Sequence, residues 1–168
     1  MKRLLFVVLT GVLMFPLAAQ ERLEGVWTIQ AEEDEGMDGM SVKMTGRDTI
    51  IFEAGGTYSQ RTAITVTFGM PGRDAEDSVT FVIAARAPGQ WSQVGDLLSL
   101  APDKKKAEAE VSGSGLSGIL RLMLVNPIRK EVLKELKRGR SYRIVLLSDS
   151  ELKLAGPAGS QETYHRVE

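Results

Sequence analysis

The 168-residue chain has no cysteine and a single histidine, His165. Without cysteine there can be no disulfide frame, no thiolate zinc site and no acylated N-terminal cysteine. One imidazole cannot form a histidine metal cluster, and we read His165 as an ordinary residue near the C-terminus, not as a general base. No serine sits in a G-x-S-x-G elbow, so the sequence supplies no nucleophile–base pair. Charge of one sign is missing too, with 21 basic against 22 acidic residues. That balance argues against electrostatic capture of nucleic acid or an anionic membrane. The expectation is a protein that is not an enzyme and has no cofactor and no metal.

Long apolar runs are scarce. The first extends from Leu4 to Phe15, behind Lys2 and Arg3 and ahead of Pro16 and the small-residue segment Leu17-Ala18-Ala19. It falls short of the roughly 20 residues that a membrane-spanning helix needs. The positive, apolar, small order is that of a signal peptide, cut near Ala19. Loss of residues 1–19 leaves 19 basic against 22 acidic residues, a formal charge of −3. Residues 20–168 then suit one domain held by burial alone, located in the periplasm or secreted, with no membrane span.

What is abundant is alternation. From Leu23 to Leu100 apolar residues recur at every second position, punctuated by Gly, Pro or Asp, which is the period of half-buried strands. Val26-Trp27-Thr28-Ile29 follows Gly25, and Ile50-Ile51-Phe52 leads into the turn Gly55-Gly56. Tyr58, Gln60, Thr62, Ile64, Val66 and Phe68 share one face. After a turn at 71–74, Val79, Phe81, Ile83 and Ala85 form a matching stripe that is expected to end at Pro88-Gly89. Trp91, Gln93 and Val94 reach the turn Gly95-Asp96, and Leu98 and Leu100 return from it. Short connections of this kind join antiparallel neighbours into a meander.

Residues 102–139 break the rhythm. Asn126-Pro127 is a helix start by capping chemistry, predicting a helix from Pro127 to about Arg138. Ile128, Val132, Leu133 and Leu136 lie on one side, Arg129, Lys130, Lys134, Lys137 and Arg138 face water, and Gly139 is placed for a left-handed stop. The apolar run Ile119 to Val125 reads equally as a first helix or as another strand. Strands resume with Tyr142, Ile144 and Leu146 on one face, then Leu152 and Leu154, then Tyr164 and Arg166. About eight to ten strands in all is the number that can close into a barrel, with a helical insertion near 116–138.

Two patterns imitate functional sites. Gly113-Ser114-Gly115-Leu116-Ser117-Gly118 has the spacing G-x-G-x-x-G, but dinucleotide binding also needs a parallel strand–helix–strand unit, so a flexible loop is the expectation. The acidic stretch Glu32, Glu33, Asp34, Glu35 and Asp38 does not have the spacing of a helix–loop–helix calcium site and reads as a solvated loop. Met37, Met40, Met44 and Met70 are expected in or beside loops at the barrel rim.

Four ordered blocks resemble the small lipocalin-like (calycin-type) β-barrel domains exported by Gram-negative bacteria. They are Leu23-Glu24-Gly25-Val26-Trp27; Phe52 with Gly55-Gly56-Thr57-Tyr58; Gly89-Gln90-Trp91 leading to Gly95-Asp96-Leu97-Leu98-Ser99-Leu100; and Tyr142 to Leu154 with Tyr164-His165-Arg166. The long helical insertion departs from that family's pattern. The resemblance implies that Trp27 packs at the closed barrel end beneath Arg166, a structural cation–aromatic pair. Phe52, Tyr58, Ile64, Phe81, Trp91, Leu98 and Tyr142 are expected to point inward, either lining a site for a small apolar molecule or filling the interior. The functional alternatives are a ligand carrier capped by the helical segment, and a structural or interaction protein docking on another envelope protein.

Overall fold

A computed structural model of the chain describes residues 23–37, 40–69, 78–115 and 118–167. Residues 1–19, expected to be a signal peptide, Asp38, Met70, the expected turn at 71–74, Leu116 and Ser117 lie outside the described residues. The strands are β1 (Gly25–Met37), β2 (Met40–Glu53), β3 (Thr57–Gly69), β4 (Val79–Val94), β5 (Leu97–Pro102), β6 (Glu108–Ser114), β7 (Arg140–Leu147), β8 (Glu151–Ala155) and β9 (Gln161–Val167). One long helix, α1 (Gly118–Leu136), joins β6 to β7. No described helix is long and apolar enough to cross a membrane.

Every strand pairing is antiparallel, and β9 returns to β1 across Val26–Thr28. The ring β1-β2-β3-β4-β5-β7-β8-β9 is a closed eight-stranded barrel, with α1 inserted between β6 and β7. Closure removes the open edges that would otherwise recruit other strands. β6 stands outside the ring, pairing with β4 over Thr80–Arg86, whereas β5 takes the same edge of β4 over Gly89–Val94. α1 lies along β6, and Arg129 Nε donates to the Ala109 carbonyl at 3.0 Å. That bond ties α1 to the β6 backbone, while Arg129 stays exposed among the water-facing charges of the helix.

Several local expectations are corrected. Pro88-Gly89 does not end a strand, because β4 runs through it. Pro88 falls where the partner of β4 changes from β6 to β5, so its missing N–H breaks no ladder there, and its carbonyl accepts from the Asp103 amide at 2.8 Å. A bulge between Ile144 and Leu146 shifts β7 by one residue, so Leu147, not Leu146, joins Ile144 against the core. The acidic residues Glu32 to Glu35 lie on β1 and not on a loop, and Glu32 pairs with Lys43 of β2 at 2.9 Å. Met37, Met40 and Met44 likewise lie on strands, with Met37 opposite Met40.

The helix is also longer than the capping signal at Asn126 predicts. It begins at Gly118 and carries Pro127 in its interior, so Ile119 to Val125 is its first half. A proline there removes one backbone hydrogen bond; the apolar contacts of Val125, Ile128 and Val132 with the sheet offset that loss. Gly139 is not among the left-handed glycines, and α1 stops through the bonds Lys137 N to Leu133 O and Arg138 N to Glu135 O.

Gly113 to Gly118 does bridge a strand and a helix, but β6 runs antiparallel to β4 and no parallel unit exists among the described strands. Gly115 has φ +76°, and a Cβ there would strike the Ser78 carbonyl oxygen. The glycine serves a tight backbone crossing, not a phosphate.

Candidate functional site

The register of β1 to β4 stacks the inward side chains in rungs. At one end Phe52 faces Tyr58; the next rung holds Trp27, Ile50, Gln60 and Ala87; the third Ile29, Asp48, Thr62 and Ala85; the fourth Ala31, Gly46, Ile64 and Ile83. Large side chains therefore crowd one end, and small or polar ones occupy the middle.

The crowded end is solid. Trp27, Ile50, Phe52, Tyr58, Trp91, Leu98, Leu100, Tyr142, Leu152, Leu154 and Tyr164 form one buried cluster with Leu23. Trp27 is fully buried, its indole N–H donates to Leu23 O at 2.8 Å, and the Arg166 guanidinium stands 4.4 Å from its ring centroid. Arg166 Nη1 also donates to Glu24 O at 2.9 Å. Gly25, at φ +130°, leaves the room: a Cβ there would come within 2.7 Å of that same nitrogen. Phe52 and Trp91 meet edge to face with centroids 5.4 Å apart.

The middle is hollow. A cavity of about 640 Å³ opens between α1 and the barrel wall. Its walls are apolar, with Ile29, Ile64, Ile83 and Ala85 from the sheet and Ile128, Val132 and Leu136 from α1. It shares Ile83 and Ile128 with a wholly apolar cleft of about 510 Å³, lined further by Val66, Phe68, Val79, Phe81 and Leu124. Opposite the helix the lining turns polar, with Asp48, Gln60, Thr62, Arg140, Glu162 and Tyr164. A separate hollow of about 670 Å³ is lined by Arg47, Arg61, Arg86, Glu108 and Glu110, which alternation places on the outer face of their strands.

The polar wall is organised around Asp48. Its carboxylate accepts from Thr62 Oγ1 at 2.6 Å, Gln60 Nε2 at 2.9 Å and the Tyr164 hydroxyl at 3.0 Å. The same hydroxyl lies 3.0 Å from Glu162 Oε2, although a phenol has one proton to give. Burial, then the Asp48 and Glu162 carboxylates, drive the Tyr164 hydroxyl far above the ordinary tyrosine range, so it stays a donor. Burial works on Arg140 to lower its pKa, but Tyr142, Asp48 and Glu162 overcome it and the value rises. Arg140 is held charged, and its guanidinium makes a long hydrogen bond, 3.5 Å to the Tyr142 hydroxyl.

The residues expected to point inward thus divide. Phe52, Tyr58, Trp91, Leu98 and Tyr142 belong to the solid end, whereas Ile64 lines the cavity and Phe81 the apolar cleft. Sequence reasoning passed over Asp48, Arg140 and Glu162. The available signal was a charge at an inward position of an otherwise apolar alternation: Asp48 two before Ile50, Glu162 two before Tyr164, Arg140 two before Tyr142. No protein-family model and no curated protein matches this sequence.

Proposed function

We propose that this protein is an exported, non-catalytic binding protein of lipocalin-like type that holds a small, largely apolar molecule between α1 and the barrel wall. The observation that carries the reading is the half-filled barrel. A cavity of about 640 Å³ remains where the sheet presents Ile29, Thr62, Ile64, Ile83 and Ala85, with Ile128, Val132 and Leu136 of α1 across from them. That volume falls within the roughly 300–1,000 Å³ common for small-molecule sites, and apolar walls with a few convergent polar groups are their usual lining. Export, to the periplasm or beyond, is supported by the order of charge, apolar run and small residues in 1–19. The polar groups are assigned to holding the ligand, and no covalent chemistry is proposed.

The test is native mass spectrometry of protein purified from its host, followed by titration with a lipophilic fluorescent probe. The reading expects a co-purifying small molecule or saturable probe binding, abolished by Ile83→Trp. Absence of both, with the protein folded, overturns it.

A second reading, docking on another envelope protein, has its own observation. Met123 on α1 is 66% exposed and Leu124 41%, beside the cleft mouth. Affinity capture with Met123→Lys/Leu124→Lys protein examines it: a partner lost by the double variant supports docking, and an unchanged capture list counts against it.

A further inference from the structure

We propose that the ligand's polar end is an uncharged group that both accepts and donates a hydrogen bond, a hydroxyl or a carboxamide, seated between Arg140 and Glu162. The inference rests on the binding reading above and follows from counting donors, acceptors and charges along the polar wall.

The donors come first. A guanidinium carries five N–H groups, and the side-chain hydrogen bond of Arg140 among the described residues is the 3.5 Å contact with Tyr142. Asp48, on the same wall, already takes bonds from Thr62, Gln60 and Tyr164. The wall therefore has donors to spare and calls for an acceptor.

The opposite shortage exists beside it. Asp48 and Glu162 both lie 3.0 Å from the Tyr164 hydroxyl, which has a single proton. Asp48 has further donors in Gln60 and Thr62, whereas Glu162 shows only Tyr164. When that proton goes to Asp48, Glu162 is left to take a bond from whatever occupies the cavity.

Charge then decides the class. Asp48, Glu162 and Arg140 sum formally to −1, and the cavity's other carboxylates, Glu131 and Glu135, already face Lys134 at 2.7 Å and Arg138 at 3.4 Å. An anionic headgroup at Arg140 would enter the field of both Asp48 and Glu162. An ammonium at Glu162 would enter that of Arg140, whose own charge is held by those same carboxylates. An anion meets one attraction and two repulsions, an ammonium is attracted by Glu162 and Asp48 but repelled by Arg140, and each loses its hydration. A hydroxyl or carboxamide fills both vacancies without that cost, and its alkyl body continues along Ile64, Ile83 and Ile128 into the apolar cleft.

The experiment is displacement of a lipophilic fluorescent probe at neutral pH by ligands sharing one alkyl chain and differing at its end: primary alcohol, primary carboxamide, carboxylate and ammonium. The alcohol and carboxamide are expected to displace the probe about tenfold more tightly than either ion, the scale of one hydrogen bond to a charged partner. Arg140→Met and Glu162→Leu should each weaken the two neutral ligands by about tenfold while leaving the affinity of a headgroup-free probe unchanged. The wild-type series stands by itself should either variant fail to fold. Tighter binding of the carboxylate or the ammonium, or equal binding of all four, overturns the headgroup assignment while the binding reading survives. If neither probe nor ligand binds, the binding reading falls and this inference falls with it.

Discussion

The two ends of this barrel use the same backbone and opposite side-chain volumes. Around Trp27 and Phe52 the inward positions carry indole, phenyl and branched aliphatic groups, and the interior is filled. Further along, the same strands present Ile29, Thr62, Ile64 and Ala85, and space is left between them and α1. Alternation decides which residues face in; their size decides whether the inside is a core or a site.

Replacing the crowded end's anchor should break this contrast most severely. Trp27→Ala removes a fully buried indole, its bond to Leu23 O and the ring beneath Arg166. We expect a loss of about 3–5 kcal/mol in urea unfolding. The equivalent loss from Ile128→Ala, at the cavity, should be about 2 kcal/mol or less, because that side chain is only partly buried and borders the cavity on one side.

Next in size is the polar wall. Asp48→Leu leaves the donors of Gln60, Thr62 and Tyr164 without their common acceptor. The expected cost is about 1–3 kcal/mol, read from the urea midpoint at constant slope. A neutral outcome would mean that solvent satisfies these groups freely and that the wall is not preorganised.

The chain's three tyrosines, Tyr58, Tyr142 and Tyr164, all contribute to the buried cluster. Burial raises all three, Tyr58 to about 12 from the usual 10.0. The unfolded chain therefore loses phenolic protons first as pH rises. Stability from these groups is fully present below pH 10, falls between 10 and 12 for Tyr58, and is lost likewise as pH rises through the raised values of Tyr142 and Tyr164. Phenolate absorbance should stay silent at pH 10 in the folded protein and appear together with loss of circular dichroism; a free titration at the ordinary value would contradict the packing.

The smallest stability effect with the largest functional one is expected from filling the hollow. Ile83→Trp should change unfolding free energy by no more than about 1 kcal/mol, less than overpacking a tight core costs, yet eliminate probe binding. A large destabilisation would show that the cavity wall is as closely packed as the crowded end.

How much of this could be read from residues alone follows the same division. Period-two alternation and short turns specify the meander, and Trp27 near the start with Arg166 near the end fit its closure, because these signals are local and repetitive. The run through Pro88, the bulge at Val145 and the early start of α1 escape such reading, since each depends on a partner distant in sequence: β5 and β6 sharing one edge, Leu152 opposite Leu147, the sheet beneath Val125 and Ile128. The site is less legible still. Large inward residues draw notice, but most of them mark the solid end, whereas the cavity is lined by aliphatic side chains such as Ile29, Ile64 and Ile83 and by the single charges Asp48, Arg140 and Glu162.

The central claim, a barrel solid at the Trp27 end and open beneath α1, is tested most directly by methyl-resolved NMR during titration with a lipophilic probe. The account predicts saturable shifts at Ile64, Ile83, Ile128 and Val132, with Leu152 and Leu154 unmoved. Shifts centred on Leu152 and Leu154, or none anywhere at saturating probe, would contradict it.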